Sequence, residues 1–161
     1  MNLFVTHPAP VHSAIHHCDV HLRKMAVEAA QLLSTAHHVV TGEAVGYKKT
    51  HANHPCAIWV RESVGNYRWA YNFYCALLDE YQYRTGKVHG SSKHRDALRR
   101  VPPIAKIERT PFAQAMPEQY RGPCAHTAYR RYLRAKLTEW KARARPVRTT
   151  FTKRDAPPFL T

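Results

Sequence analysis

The chain has 161 residues, 44% of them apolar, with 25 Lys and Arg against 11 Asp and Glu, a formal charge of +14 with His neutral. That is enough apolar content for one core; no run is long enough to span a bilayer, and the opening "MNLFVTHPAP" lacks the basic start and long apolar stretch of a secretory signal. The expectation is a soluble cytoplasmic protein (host cytoplasm, if phage-encoded) whose partner is anionic, and with no lipidation motif and no strongly apolar helix face beside the charge, nucleic acid is favoured over a membrane.

In chain order, "NLFV" (2–5) reads as a short strand or an extended arm that tucks apolar side chains into the core. Pro8 and Pro10 break the start, and a short helix is expected from Val11 to His17. "CDVHLRKMAVEAAQLL" (18–33) places Leu22, Met25, Ala29, Leu32 and Leu33 at helical spacing, so a helix is expected from Asp19, as N-cap, to about His38. "TGEAVGYKKTHANH" (41–54) reads as loop. Pro55 suits the first turn of the next helix, "PCAIWVRES", with Asn53 or His54 near its cap. Gly65 interrupts it, and Asn66 is placed to cap a helix on which Trp69, Phe73, Leu77 and Tyr81 form a stripe, stopped by Gly86. "SSKHRDALRR" predicts a short basic helix opened by Ser91 or Ser92. The segment 101–123 contains five prolines and is expected to be loop. "HTAYRRYLRAKLTEWKARA" is the last helix, with Tyr129, Leu133, Leu137 and Trp140 as its apolar stripe. The class is all-α: a helical domain over 1–145 and a basic, Pro-containing tail over 146–161.

Four cysteines, Cys18, Cys56, Cys75 and Cys124, form no CxxC pair, and reduced thiols are expected. Walker, GxGxxG, GxSxG and HExxH motifs do not occur, which removes support for nucleotide hydrolysis and serine-hydrolase chemistry. Twelve histidines invite a metal reading at "HHCDVH" and "HANHPC", but the paired spacings of a structural zinc site are missing. No metal or cofactor is expected. His37, His38, His89, His94 and His126 read as surface or local packing residues.

Three constellations remain. His21, Lys24, Glu28 and Gln31 line a second face of the first long helix. A carboxylate there beside a cation and an imidazole suits general acid–base work or stabilisation of a developing cation; a solvated face with one Lys24–Glu28 pair has the same spacing. His51, Asn53 and His54 cluster before a helix start, where free N–H groups favour phosphate, or where Asn53 simply caps the helix. Arg61 and Glu62 follow, as an ion pair or a further part of that site. Residues 121–161 hold eleven Lys or Arg and two acidic residues, interleaved with Tyr129, Tyr132, Trp140 and Phe151. The cations suit the DNA backbone, whereas the aromatics fit a core stripe better than a stacking surface.

"FVTHPAPVHSAIHHCDVHLRKMAVEAAQLL", then "NHPCAIW", then a long helix ending "DEYQYRTGK", resembles the pyrimidine-dimer DNA glycosylase family, the group of phage endonuclease V. The resemblance runs over roughly residues 3–90 and rests on Asp19, Glu28, Asn53, His54, Pro55 and Trp59. It implies a compact all-α fold and DNA N-glycosylase activity with abasic-site lyase activity: an amine attacks the sugar carbon bearing the base, a glutamate assists, and a Schiff base permits strand cleavage. The matching glutamate is Glu28, and His21 matches a histidine at the same offset before it. One departure concerns the amine. The family's endonuclease uses the α-amine exposed when Met is removed, but here the second residue is Asn, whose size usually blocks that removal. Met1 and Lys24 are then the candidate amines.

The expected function is base excision from double-stranded DNA, with Glu28, Met1, Lys24 and His21 at the chemistry. The nucleic acid would be held by Arg23, His51, Asn53, His54, Arg61, Arg99, Arg100, Arg130, Arg131 and Arg134. The alternatives are an enzyme that modifies an unusual DNA base and a non-catalytic DNA-binding protein.

Overall fold

The computed structural model describes residues 1–160, and among these there are helices and no strand. Six α-helices follow in order: α1 (Pro10–Ile15), α2 (Asp19–Thr41), α3 (Pro55–Glu62), α4 (Val64–Thr85), α5 (Arg95–Arg99) and α6 (Ala125–Ala142). Short 3-10 turns lie at Gly90–His94, Glu118–Tyr120 and Pro158–Leu160. Among the described residues no helix is long and apolar enough to cross a membrane.

The core forms where α2 lies on α4 and α3, with α1 also packed against α4. Leu22, Met25, Ala29, Leu32 and Leu33 of α2 and Trp69, Phe73 and Leu77 of α4 are all buried, as their spacing predicts. Tyr81 is only partly so. Glycine in the left-handed conformation ends both long helices, Gly42 after α2 and Gly86 after α4.

The boundaries differ from expectation where side chains outside the local pattern intervene. Of the two readings of "NLFV", the extended arm tucked into the core is the one observed, with Leu3, Phe4 and Val5 buried and no strand. Asp19 is the first helical residue of α2 instead of its cap, and the Thr150 carbonyl of the tail accepts from its N–H at 2.8 Å. Ser63, not Asn66, caps α4 by accepting from the Asn66 N–H. Asn66 is buried and joins the loop, donating to the Trp59 carbonyl and accepting from the Thr110 N–H. Gly65 lies inside α4 because the loop crosses there: a Cβ would sit 2.7 Å from the Arg109 backbone nitrogen. His89, not Ser91 or Ser92, opens the basic segment, which is a 3-10 turn before it becomes α5. His37 is fully buried and bonded to the Tyr67 hydroxyl. The tail after α6 folds back onto the start of α2 and the end of α4, where Thr150 and Thr152 bond Asp19 and Arg154 pairs with Glu80.

Candidate active site

The first residues of the chain are threaded into the protein. Leu3, Phe4 and Val5 are buried. Phe4 stacks on Tyr132 of α6 (centroids 5.3 Å apart, 6° between planes) and meets His21 of α2 edge-on at 4.7 Å. It does so with φ at +44°, an uncommon conformation for a bulky residue, held by burial on all sides. Asn2 pins the arm: its amide donates to the Ala115 carbonyl at 2.6 Å and its side-chain oxygen accepts from the Leu3 N–H at 2.8 Å.

This threading brings the chain start to Glu28. The Glu28 Oε2 accepts from the Asn2 backbone N–H at 2.8 Å and lies 3.8 Å from the Met1 α-amine; Oε1 lies 3.5 Å from Lys24 Nζ. Glu28 is 9% exposed, a nearly buried carboxylate whose partners are all nitrogen donors. Around it is a cavity of about 220 Å³, its wall built by the arm (Met1, Asn2, Phe4), by α2 (His21, Lys24, Met25, Glu28), by His54, and by Ala115, Tyr132 and Lys136 from the C-terminal part.

The electrostatics follow from this crowding. Burial, then Lys136 and Lys24, pushes the His21 imidazole down to about 3, so it is neutral at ordinary pH. None of the four ring nitrogens of His17 and His21 has a hydrogen-bond partner among the described residues; the two rings lie 4.6 Å apart, edge to face. His54 is lowered by burial, by the N-terminal amine and by His51. Its Nδ1 accepts from the Cys56 N–H and so caps α3. Burial lowers Lys136, and Lys24 reinforces this.

Of the residues singled out from sequence, Met1, His21, Lys24, Glu28 and His54 meet at this cavity. The others lie elsewhere. Arg23, His51 and Asn53 are exposed, and Arg61 donates to the Ala52 carbonyl, bracing the loop before α3. Arg100 pairs with Glu43, and Arg99 is exposed beside it. Arg130, Arg131 and Arg134 line a separate depression on α6 with Phe159. Burial raises the thiols of Cys18 and Cys56, the latter to about 11, so neither is a thiolate nucleophile near neutral pH. All four cysteines are free, and no group of three or more His, Cys, Asp or Glu among the described residues is placed to hold a metal ion.

Sequence reasoning passed over Asn2, Phe4, Tyr132 and Lys136. Asn2 and Phe4 lie in an arm with no periodicity. Lys136 was hidden among many cations, although its spacing of four from both Tyr132 and Trp140 marks a common face.

No curated protein and no solved structure matches the chain, while the family model described as pyrimidine dimer DNA glycosylase matches residues 1–94. The match takes in the arm, Glu28, His54 and the whole of α4, more than half of the sequence, and the chain belongs to the pyrimidine dimer DNA glycosylase family.

Proposed function

We propose that the protein excises a base from double-stranded DNA through the amine at the start of its chain, assisted by Glu28, and then cleaves the strand at the abasic site. One observation carries the reading: a nearly buried carboxylate and a main-chain amine meet inside a cavity with an excess of cationic groups. The geometry accommodates either form of the chain start. With Met1 retained, its α-amine is 3.8 Å from Glu28; with Met1 removed, the Asn2 nitrogen, 2.8 Å away, becomes the terminal amine.

In the proposed reaction the amine lone pair attacks C1′ of the target sugar. The bond from C1′ to the base breaks, and the base leaves with that electron pair and takes up a proton. Glu28 stabilises the positive charge that develops on the sugar and accepts the proton the amine loses. Opening of the sugar ring gives an imine between C1′ and the amine. Loss of a C2′ proton then expels the 3′ phosphate, which breaks the strand. The target nucleotide has to leave the duplex to reach so enclosed a carboxylate. Lys24, 64% exposed at the rim, and His54 face the sugar and its phosphates.

The backbone is held outside the cavity. Arg130, Arg131 and Arg134 have anchored guanidinium groups, donating to the carbonyls of Thr6, Tyr120 and Phe159 respectively, so their positions are preorganised for phosphate. Arg23, Arg99, His51 and Asn53 offer exposed contacts, and Arg61 and Arg100 add to the field while bonded within the protein.

Borohydride trapping on a duplex with one abasic site tests this. The wild type is expected to give a covalent adduct that peptide mapping places at Met1 or, if intact mass shows Met removed, at Asn2. Glu28→Gln is expected to keep DNA affinity and lose about 10²–10⁴-fold in turnover. No adduct, together with no effect of Glu28→Gln, would leave a DNA-binding protein without catalysis.

A further inference from the structure

The family match ends at residue 94, yet the cavity does not. Two of its walls, Tyr132 and Lys136, come from α6. Lys136 is held in a particular way: its Nζ lies 5.9 Å from the Tyr132 ring centre and 5.2 Å from that of Trp140, one helical turn before and one after. Trp140 is buried against His21, and Tyr132 is stacked on Phe4. The lysine is thus registered to the arm that carries the α-amine and to the helix that carries Glu28.

Beyond these two rings its charge has no ion-pair partner among the described residues. No carboxylate lies within 4.0 Å of Lys136 Nζ among the described residues, and the one in the cavity, Glu28, is already engaged by Asn2, Lys24 and the Met1 amine. The cavity therefore sets three amines against a single carboxylate, with His21 held neutral between two lysines. Burial and Lys24 lower Lys136 below its ordinary value, while the Tyr132 and Trp140 faces oppose this by attracting the cation; a charge held over two rings suits an anion more than it suits a nucleophilic amine.

Resting on the glycosylase reading above, we propose that Lys136 is a substrate-binding residue of this cavity and grips the phosphate beside the sugar that the amine attacks. The C-terminal helix, beyond the matched region, then completes the site and makes it selective for an extruded or baseless nucleotide over intact duplex. Arg130, Arg131 and Arg134 lie on another depression and would hold any duplex alike.

The test is fluorescence polarisation of the full chain on two labelled duplexes, one intact and one with a single tetrahydrofuran abasic analogue, across a KCl series. Lys136→Met keeps the aliphatic stem on the rings and removes the charge; Lys136→Arg keeps the charge. The Met variant is expected to lose about ten-fold in affinity for the abasic duplex, and its slope of log affinity against log salt to shrink by about 1. Binding to the intact duplex should change less than about two-fold, because no base is extruded there, and Lys136→Arg should recover most of the loss. If the Met variant melts early, Lys136→Gln gives the same reading. Unchanged affinity for the abasic duplex, equal losses on both duplexes, or a borohydride adduct mapped to Lys136 overturns the assignment while leaving the glycosylase reading standing. A wild type with no preference for the abasic duplex and no adduct overturns the glycosylase reading itself, and the assignment with it.

Discussion

The two ends of the first three turns of α2 are built on opposite plans. At the start, Asp19 accepts from Arg84, from the hydroxyls of Thr150 and Thr152 and from the Thr152 N–H. Arg84, with a fully buried side chain, also donates to Glu80 and to the carbonyls of Ile15 and His17. Every charge there has several partners, and the network ties α1, α2, α4 and the tail together. Farther along, Glu28 accepts from the Asn2 N–H but meets the Met1 and Lys24 amines only at 3.8 and 3.5 Å beside a cavity, and His21 has neither ring nitrogen bonded. A satisfied polar network fixes shape; an unsatisfied one retains capacity for a substrate. The first plan holds still the helix on which the second depends.

The largest expected effect breaks the first plan. Arg84→Met removes the centre of the clamp, leaves two carbonyls without donors and leaves Glu80 with Arg154 alone among its guanidinium partners. The cost is expected to be about 3–5 kcal/mol, read by urea unfolding, with the tail becoming protease-sensitive. Borohydride trapping by the fraction still folded should persist. If trapping disappears while the fold is intact, the two plans are not separable.

A pH titration separates them by window. His17 and His21 are held neutral in the fold, chiefly by burial: His21 is lowered to about 3, and His17 falls well below its ordinary 6.5. Below about pH 6.5 the unfolded chain takes up protons that these rings refuse, so stability falls, by about 1 kcal/mol per pH unit for each ring. Asp19 and Glu80 work in the other window. Burial raises both carboxyls, but hydrogen bonds from Thr152, Arg84 and Thr150 to Asp19, and from Arg154 and Arg84 to Glu80, lower them further, below the ordinary 3.8 and 4.5. Their contribution is present above those values and is lost as pH falls through the lowered ones. His16 and His37, also lowered by burial, add to the slope, so the informative quantity is a difference. His17→Phe should flatten stability between about pH 6.5 and 5 by one ring's share and leave the loss below about pH 4 unchanged. An unaltered slope would mean that His17 is protonated within the fold.

What could be read from the sequence follows the same division. Helices α2, α4 and α6 were legible because each buries a stripe at helical spacing, and Glu28 was legible as a carboxylate on the opposite line of α2. The Asp19 clamp was not: Thr150 and Thr152 lie more than 130 residues from Asp19 along the chain, and no local pattern records such a pairing. The burial of the arm was legible from its apolar residues, but its contacts were not, for a related reason. Asn2 and Phe4 act through single contacts with Ala115, His21 and Tyr132, and a non-repeating segment has no period to show which partners it meets. Among the basic residues, charge showed the kind of partner but not the geometry. Arg61 and Arg100 turned out to be bonded within the protein, whereas Lys136 joined the site.

The smallest expected effect sharpens the comparison most, because it concerns which amine belongs to the chemistry. Lys24 and the Met1 amine both face Glu28, at 3.5 and 3.8 Å, but Lys24 has a 64% exposed side chain and Met1 a 3% exposed one. A helical pair one turn apart whose lysine is largely in solvent contributes a few tenths of a kcal/mol, about 0.3–0.5. Lys24→Gln should therefore shift unfolding by no more than that and should leave the borohydride adduct in place at the chain start. Affinity for DNA should weaken slightly and with a shallower salt dependence, as expected for one lost phosphate contact at the cavity rim. An adduct that vanishes in Lys24→Gln, with stability unchanged, would move the nucleophile from the buried arm to the exposed helix face. The threading of residues 1–5 would then serve only to shape the cavity, and Asn2 could be changed without loss of trapping.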